Sequence, residues 1–344
     1  MGLYDTRTML TAIEQTKPVF TFLRDTFFSE TETLLTEIAE VDVKKGKRKL
    51  APFVSPRVGG KILTREGFKA SQIKTPKIAP ERVITIDDIN KRTLGENIYS
   101  SKTPAERSRI LLANDLIELD EAITRREEWM CAKILTEGAI NIKTDDAEYK
   151  VDYNFTNIIK LDTAKKWNNA NYAKGVNPYE DLKSWRKEYI IKKSGMTPDI
   201  CVLADDVLPA FIASPDVQKM LDLQRLNIGA IEPTYKGQGL TFVGKLPELG
   251  LELYTYTEFY LDDETEEDKP MIPSGKVLMG SKGMGKRYYG AVTQLENGTF
   301  ITYEGIRVPK HFTDDKNEIE KLRLTSRPLP APKDADGWLI ANVL

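Results

Sequence analysis

Residues 103–138, TPAERSRILLANDLIELDEAITRREEWMCAKILTEG, form the longest regular pattern in the chain. It begins as a capped helix, because Thr103 and Glu106 are spaced to bond to each other's backbone amides and Pro104 suits the first helical position. Gly138 is a natural helix stop. The pattern predicts one unbroken helix about 50 Å long at 1.5 Å per residue.

Apolar side chains recur at three- and four-residue steps along this helix and form one stripe: Leu112, Leu116, Leu119, Ile123, Met130 and Ile134. The stripe is interrupted at residues 125–128, Arg-Arg-Glu-Glu, where charge pairs are expected to hold a solvated turn. A typical globular helix is about a third as long. Such a helix is either part of a coiled coil or a spine that strands cross. The incomplete heptad pattern favours the spine.

Charge is divided unevenly along the chain, although the net charge of all 344 residues is only −2. Residues 1–43 hold 3 basic and 8 acidic side chains, residues 44–82 hold 12 and 2, and the rest holds 35 and 42. The net charges are therefore −5, +10 and −7. Near-neutrality of the whole argues against a protein that coats nucleic acid with its entire surface.

The basic segment 44–82 contains 4 prolines, 4 glycines and short β-type runs such as 61–65, without an amphipathic helix. It is either a disordered linker or, as we favour, an extended loop that orders against a partner. Its cations could contact the phosphates of nucleic acid. Its only aromatic residues, Phe53 and Phe68, are too few for a stacking platform.

Self-association explains the separated charges well, because the acidic segments of another copy offer the basic segment a complementary surface. The residues that we expect to take part in such inter-subunit contacts are Lys44, Lys45, Lys47, Arg48, Lys49, Arg57, Lys61, Arg65, Lys69, Asp262, Asp263 and Glu264.

Beyond residue 141 the pattern changes to mixed helices and strands, which predicts an α+β protein. Helices are expected from Asn177 to near Gly195, from Asp205 or Asp206 (as the cap) through Phe211, and from Ser214 through Leu223. Strands are expected at 199–204, 241–243, 251–261, 276–279, 288–292, 299–303, 322–325 and 337–343, with a hairpin tip at 262–268.

Scarce residues limit the possible chemistry. With only His311, Cys131 and Cys201, one chain cannot build a four-ligand Cys/His zinc site or a disulfide framework. His311 lies near Asp314 and Asp315, but no nucleophile in an elbow-type context is visible. We therefore expect a structural histidine and two cysteines that serve packing.

Two further motifs suggest ligands without meeting their requirements. Residues 280–287, GSKGMGKR, fit a phosphate-binding loop, but Arg287 replaces the required hydroxyl and residues 288–292 favour a strand where a helix is needed. The acidic run 262–268 lacks the alternating ligands and turn glycine of a calcium loop. We expect a connection between strands, a solvated hairpin tip and no cofactor.

No targeting or membrane segment is visible. Residues 1–7 precede no apolar region, and the longest apolar clusters, such as 110–113, are far shorter than the roughly 20 residues of a membrane span. We expect a chain made and folded in a cytoplasm, with no membrane partner.

The order of these features resembles the major capsid protein of lambda-like tailed bacteriophages, the capsid E family with the Hong Kong 97-type fold. The resemblance covers nearly the whole chain. It is carried by residues 22–24 and 27–28, the loop stretch 53–60 (FVSPRVGG), the helix stretches 107–114, 120–123 and 127–128, residues 277–292 and the proline-punctuated end at 326–343.

The resemblance implies an N-terminal arm at 1–45, an extended β loop at 46–88, and a peripheral domain at 89–164 and 276–344 that includes a spine helix at about 104–137. It implies an axial domain at 165–275. It further implies a structural subunit without a catalytic site, which self-assembles into hexamers and pentamers of an icosahedral phage head around double-stranded DNA. Because an arm follows almost directly after Met1, a separate scaffold protein is expected, together with a portal and a decoration protein. The virion shell, assembled in the host cytoplasm, is the implied location.

Three alternatives stay open. An encapsulin-like shell shares the fold. A nucleic-acid-binding module would bind tightly as a small species with a steep salt dependence. A nucleotide-using enzyme would bind Mg²⁺-ATP and lose that affinity in Lys286→Ala. For the shell protein, deletion of residues 50–80 is expected to leave a folded monomer that cannot form particles.

Overall fold

The computed structural model describes residues 20–44, 68–90, 103–143, 148–222, 230–237, 239–296, 298–314 and 319–344. The helices are α1 (Leu23–Phe27), α2 (Ile86–Asn90), α3 (Pro104–Glu137), α4 (Asn169–Tyr172), α5 (Pro178–Trp185), α6 (Val207–Ala213) and α7 (Pro215–Asp222), with a 3₁₀ turn at Thr163–Lys165 and a π-helical segment at Arg186–Ile191.

Strands make up much of the remaining described chain. They are β1 (Glu30–Thr33), β2 (Ile38–Lys44), β3 (Phe68–Lys74), β4 (Glu81–Thr85), β5 (Ala139–Lys143), β6 (Glu148–Asp152), β7 (Ile158–Lys160), β8 (Ile200–Leu203), β9 (Ala230–Gly237), β10 (Leu240–Leu246), β11 (Leu251–Tyr256), β12 (Phe259–Leu261), β13 (Asp268–Pro270), β14 (Lys276–Gly280), β15 (Gly285–Tyr289), β16 (Val292–Glu296), β17 (Thr299–Tyr303), β18 (Val308–Asp314), β19 (Ile319–Thr325), β20 (Pro328–Pro332) and β21 (Leu339–Asn342).

Helix α3 has both predicted ends. The Glu106 amide donates to the Thr103 hydroxyl at 3.3 Å, and the Thr103 amide donates to the Glu106 carboxylate at 2.8 Å. At the other end Gly138 has a φ of +74° and its amide donates to the Ile134 carbonyl at 2.8 Å. These local contacts confirm the helix predicted from the capping residues.

The apolar stripe of α3 is buried in two separate cores. Its first half, from Leu112 to Ile123, packs with Leu322 and Leu324 of β19. Its second half, including Met130 and Ile134, lies in the main core. Strands therefore pack along the length of one helix, as predicted for a spine.

The main core is built on a mixed sheet in the order β7-β21-β14-β8-β11-β10-β9. Strand β8 is fully buried because it lies inside this sheet, parallel to β11 and antiparallel to β14. Such strands show nearly continuous apolar sequence, as residues 200–203 do. Strand β21 from the end of the chain inserts between β7 and β14, so the C-terminal segment completes the sheet.

Residues near the start of the described chain also belong to the main core. Phe27 and Phe28 are 0% exposed, and the Phe27 ring lies 4.8 Å from the Trp338 ring. Strand β1 then pairs in parallel with β15. The segment predicted as an arm is thus anchored at 22–33, while the predicted boundaries of arm, loop and domains stay predictions.

A two-stranded ribbon leads into the predicted loop. Strands β2 and β3 pair antiparallel from Ile38 opposite Lys74 to Lys44 opposite Phe68. Residues 45–67, with the β-type run 61–65, lie outside the described residues. The ribbon fixes where that segment leaves and re-enters the body.

Two predicted strands are divided in the structure. Residues 288–292 were expected to form one strand, but β15 ends at Tyr289 and β16 begins at Val292. Gly290 lies between them, where an added Cβ would approach the Thr75 hydroxyl oxygen to 2.1 Å. The expected strand 251–261 is divided into β11, which pairs with β10 and β8 in the large sheet, and β12, which pairs with β13 in a separate two-stranded sheet.

The expected aspartate cap of α6 is confirmed in position, with Asp206 at the N-cap, but its carboxylate makes no capping bond to α6. It accepts instead from the Ser274 hydroxyl at 2.5 Å and the Gly275 amide at 3.0 Å. Ser274 and Gly275 lie 68 and 69 residues further along the chain, so the sequence around Asp206 gives no sign of these bonds.

Candidate subunit contacts and a buried charge centre

The acidic tip at residues 262–268 joins β12 to β13, as predicted, and three of its carboxylates pair with cations of the same chain. Lys269 bonds to Asp262 at 2.8 Å and, with the amides of residues 264 and 265, lowers the pKa of Asp262 to about 2. Arg126 of α3 pairs with Asp263. Lys143 of β5 pairs with Glu264 at 2.5 Å.

The other carboxylates of the tip, Glu266, Glu267 and Asp268, are exposed, and no cation of the described chain pairs with them. The negative potential available to another molecule therefore lies mainly on this second half of the tip. The expected contact residues Asp262, Asp263 and Glu264 are already partly neutralised within the subunit.

A groove of about 770 Å³ separates the tip from α3 and the β5–β6 hairpin. Trp129 lines it, with the Tyr260 ring 6.2 Å away and the Arg126 guanidinium 5.1 Å from the Trp129 ring centre. The indole N–H of Trp129 is buried and has no acceptor among the described residues. The ion pairs of Arg126 with Asp263 and of Lys143 with Glu264 hold the acidic tip beside this groove.

The basic contact candidates are only partly placed. Lys44 is the last residue of β2 and Lys69 lies opposite Val43 in β3, so both belong to the ribbon. The remaining basic candidates, Lys45, Lys47, Arg48, Lys49, Arg57, Lys61 and Arg65, lie outside the described residues. Their contact with the acidic tip stays a prediction.

Where the sequence predicted a solvated turn in α3, the structure has a buried charge centre. Glu127 is 1% exposed and accepts from Arg307 at 2.7 Å and from Arg24 at 3.0 Å. Arg307 also bonds to Asp120 at 2.6 Å and to the Thr124 hydroxyl at 3.2 Å. Burial alone would raise the pKa of Glu127, but the two guanidinium groups lower it below its usual value.

The adjacent Glu128 is 2% exposed and holds the start of α1. Its carboxylate accepts from the amides of Phe22, Leu23 and Arg24 at 3.1, 2.8 and 2.8 Å, and from the Tyr256 hydroxyl at 2.9 Å. It thereby satisfies amides at the start of α1 that have no partner within their own helix. Burial raises the pKa of Glu128, outweighing these hydrogen bonds.

Part of this centre could have been found from the sequence. Glu127 follows Ile123 by four residues and precedes Met130 by three, so it occupies a position on the apolar stripe. The arginines that neutralise it, Arg24 and Arg307, are 103 and 180 residues away and carry no local signal. Residues 125–128 were therefore expected to be exposed to solvent, although the spacing of Glu127 along the helix puts it on the buried face.

The phosphate-loop-like stretch 280–287 connects β14 to β15, as expected for a link between strands. Its glycines allow close packing: a Cβ added at Gly280 would lie 2.0 Å from the Trp338 ring, and one at Gly285 would lie 2.2 Å from the Phe28 ring. Lys286 pairs with Glu32 of β1. Strand β15 begins at Gly285, within the motif, where anion binding would need a helix N-terminus.

The other residues considered for chemistry lie in packed surroundings. The His311 side chain, 8% exposed in β18, faces Glu320 with 3.4 Å between Nε2 and Oε2. Cys131 and Cys201 are buried, and burial raises the pKa of both thiols, that of Cys201 to about 12. Within the described ranges, no three His, Cys, Asp or Glu side chains group closely enough to hold a metal ion. Nor does any helix there have the length and apolar character to cross a membrane.

Comparison with known proteins decides the family. Residues 5–343 match the family model described as phage major capsid protein E. The chain belongs to this family. This capsid protein is 24% identical over 351 residues to the major capsid protein of Enterobacteria phage P21, with 100% of both chains covered. It is 22% identical over 349 residues to that of Escherichia phage lambda, with 98% of each covered.

Solved structures show the same fold. A prophage capsid protein of Escherichia coli CFT073 matches this capsid protein with a TM-score of 0.71 at 18% identity, over 98% of this chain and 99% of the other. A phage-related protein of Bordetella bronchiseptica matches with a TM-score of 0.57 at 13% identity, over 98% and 96%. The expected α+β capsid fold is confirmed, and the protein is a structural capsid subunit, many copies of which form a virion shell.

Proposed function

We propose that this capsid protein assembles as hexamers and pentamers into a closed icosahedral head that encloses double-stranded DNA. We further propose that neighbouring copies are joined by the basic segment 44–82 of one subunit, which docks on the long helix and acidic surface of the next. Head-to-tail contacts of this kind close into rings when the rotation between copies allows it.

The observation that carries the docking proposal is the separation of charge. Segment 44–82 has a net charge of +10, whereas Glu266, Glu267 and Asp268 at the hairpin tip are exposed and no cation of the described chain pairs with them. The groove beside Trp129 lies next to this tip. A basic segment has the charge to meet these exposed carboxylates.

Deletion of residues 50–80 would disturb more than the basic segment. Removal of residues 50–80 would also remove β3, together with the Thr75 amide bond to Glu37 and the Ile78 amide bond to Ser326, both at 2.9 Å. A better variant replaces residues 47–65 by a short Gly/Ser linker and keeps the ribbon. We expect this variant to fold with unchanged thermal stability and to remain a small species under conditions in which the parent forms particles. Closed particles from the variant would contradict the docking proposal.

Charge exchange tests which acidic surface is used. Lys substitution of Glu266, Glu267 and Asp268 together is expected to block assembly, and Glu substitution of Lys45, Lys47 and Lys49 in the same chain is expected to restore part of it. Lys substitution of Asp205, an exposed aspartate elsewhere in the described structure, is the matched control and is expected to have no effect. Equal assembly of the tip variant and the control would contradict the assignment of the tip.

A separate scaffold, a portal, a decoration protein and assembly in the host cytoplasm complete the proposal, as the family resemblance implies. Contact with packaged DNA is proposed to be non-specific, through phosphates. A small species with tight, salt-sensitive DNA binding and no particles would favour the nucleic-acid-binding module instead.

A further inference from the structure

The hairpin of β16 and β17 forms a sheet of its own within the described chain, paired from Val292 opposite Tyr303 to Glu296 opposite Thr299. Side chains tie β16 to the neighbouring strand β18. Gln294 donates to the Pro309 carbonyl at 3.4 Å, and Lys310 donates to the Leu295 carbonyl at 2.5 Å. No described strand pairs with the outer edge of β17. Within the described chain, the outward amides and carbonyls of residues 299–302 are therefore open to pairing with another chain.

Strand β17 lacks the features that normally protect an edge. Its sequence, Thr-Phe-Ile-Thr-Tyr, consists of strong β-formers and contains neither a charged residue nor a proline. Every other described edge strand longer than three residues has at least one of these protections. An unprotected edge of this kind is a template for pairing with another chain.

The outward face of the hairpin is also uncharged. It presents Thr293 and Leu295 from β16 and Phe300 and Thr302 from β17, with the two threonine hydroxyls 2.9 Å apart. Phe300 is 76% exposed and Leu295 46% exposed. A charged partner would find no complementary ion on this face, whereas a second uncharged surface could cover it without desolvating an ion.

We propose that β17 pairs antiparallel with β17 of a second copy of this chain. Pairing centred on Ile301 places Phe300 opposite Thr302 and Thr299 opposite Tyr303, and cross-strand pairs of aromatic and β-branched side chains are favourable. Such a contact is isologous, because the same five residues meet themselves. The inference rests on the proposed self-assembly and adds a contact that is separate from docking of the basic segment.

Disulfide trapping tests the pairing directly. In an antiparallel pair centred on residue 301 the two Cα atoms lie about 4.5–5.5 Å apart, within the range that a disulfide spans. Assembled Ile301→Cys protein is oxidised with diamide, which accepts the two electrons and two protons released by the thiols. Cys131 and Cys201 are 0% exposed and do not compete. We expect a covalent dimer from Ile301→Cys and little from Thr293→Cys, the matched control on β16.

A charged edge gives a second, independent readout. Ile301→Lys is expected to reduce the assembled fraction by about tenfold or more, while Thr293→Lys assembles normally, and both keep the parental melting temperature. Particles from Ile301→Lys at the parental yield would overturn the inference, as would equal cross-linking at positions 301 and 293. In each case the proposed function would stand if unsubstituted protein forms particles. If unsubstituted protein forms none, the proposed function fails and the inference fails with it.

Discussion

Two adjacent glutamates in the middle of α3 connect parts of the chain that are distant in sequence. Glu127 joins Arg24 near the start of the described chain to Arg307 near the end, and Glu128 binds the amides that open α1. Because both carboxylates are buried, each needs its partners to offset the loss of water. The centre fixes the N-terminal and C-terminal segments to one face of the spine helix.

Substitution of Glu127 is expected to be costly. Glu127→Gln leaves Arg24 and Arg307 buried without their shared anion, and breaking a buried ion pair in this way costs about 3–5 kcal/mol of unfolding free energy. Urea unfolding of the two proteins at neutral pH measures this. A loss below 1 kcal/mol, close to the median for exposed pairs, would show that the centre is not a buried charge network.

The pH dependence of this loss has a definite sign. The pKa of Glu127 is lowered in the folded state, so its contribution is present above the usual value of 4.5 and is lost as the pH falls through the folded pKa. The stability difference between the parent and Glu127→Gln should therefore shrink below pH 4.5. Glu128 acts oppositely, because its raised pKa favours the folded state at low pH and that contribution is lost as the pH rises through the folded pKa.

Glu128 is expected to control the mobility of α1. Glu128→Ala removes the acceptor of three amides, each left unsatisfied at a cost of about 1–3 kcal/mol, and Glu128→Gln keeps one of the two oxygens. Hydrogen exchange at the amides of Phe22, Leu23 and Arg24 should be slowest in the parent, faster in Glu128→Gln and fastest in Glu128→Ala. Glu118→Ala, at an exposed position of α3, should exchange like the parent, and equal rates in all four proteins would refute the role.

At the scale of elements, the link between β14 and β15 is fixed by close packing. Gly280→Ala would place a methyl group 2.0 Å from the buried Trp338 ring, and overpacking of this kind costs about 1–3 kcal/mol. Gly305→Ala is the matched control, because its nearest neighbours are 3.7 Å away. The melting temperature of Gly280→Ala should lie below that of Gly305→Ala. Equal melting temperatures would contradict the packing role of Gly280.

Elements with local determinants could be predicted from the sequence, and those with distant determinants could not. Helix α3 was predictable to its ends because Thr103, Glu106 and Gly138 act within one turn of its termini. The break at Gly290 depends on Thr75, and the orientation of Asp206 depends on Ser274, neither of which is a sequence neighbour. The charge centre was missed for the same reason.

At the scale of the whole molecule, we expect assembly to depend on the separation of charge into segments of net charge −5, +10 and −7. Raising the ionic strength from about 0.1 to 1 M shortens the screening length from about 10 to 3 Å and should slow particle formation without unfolding the subunit. Light scattering measures the rate, and circular dichroism serves as the control. A rate that is independent of salt would contradict electrostatic docking of the basic segment.

Negative-stain microscopy of the purified protein, expressed alone and with a scaffold protein, tests directly whether this chain forms a shell. We expect closed, megadalton shells of uniform curvature, with separate rings or monomers where the scaffold is missing. A protein that remains a small species under both conditions would contradict the assignment as a self-assembling shell subunit.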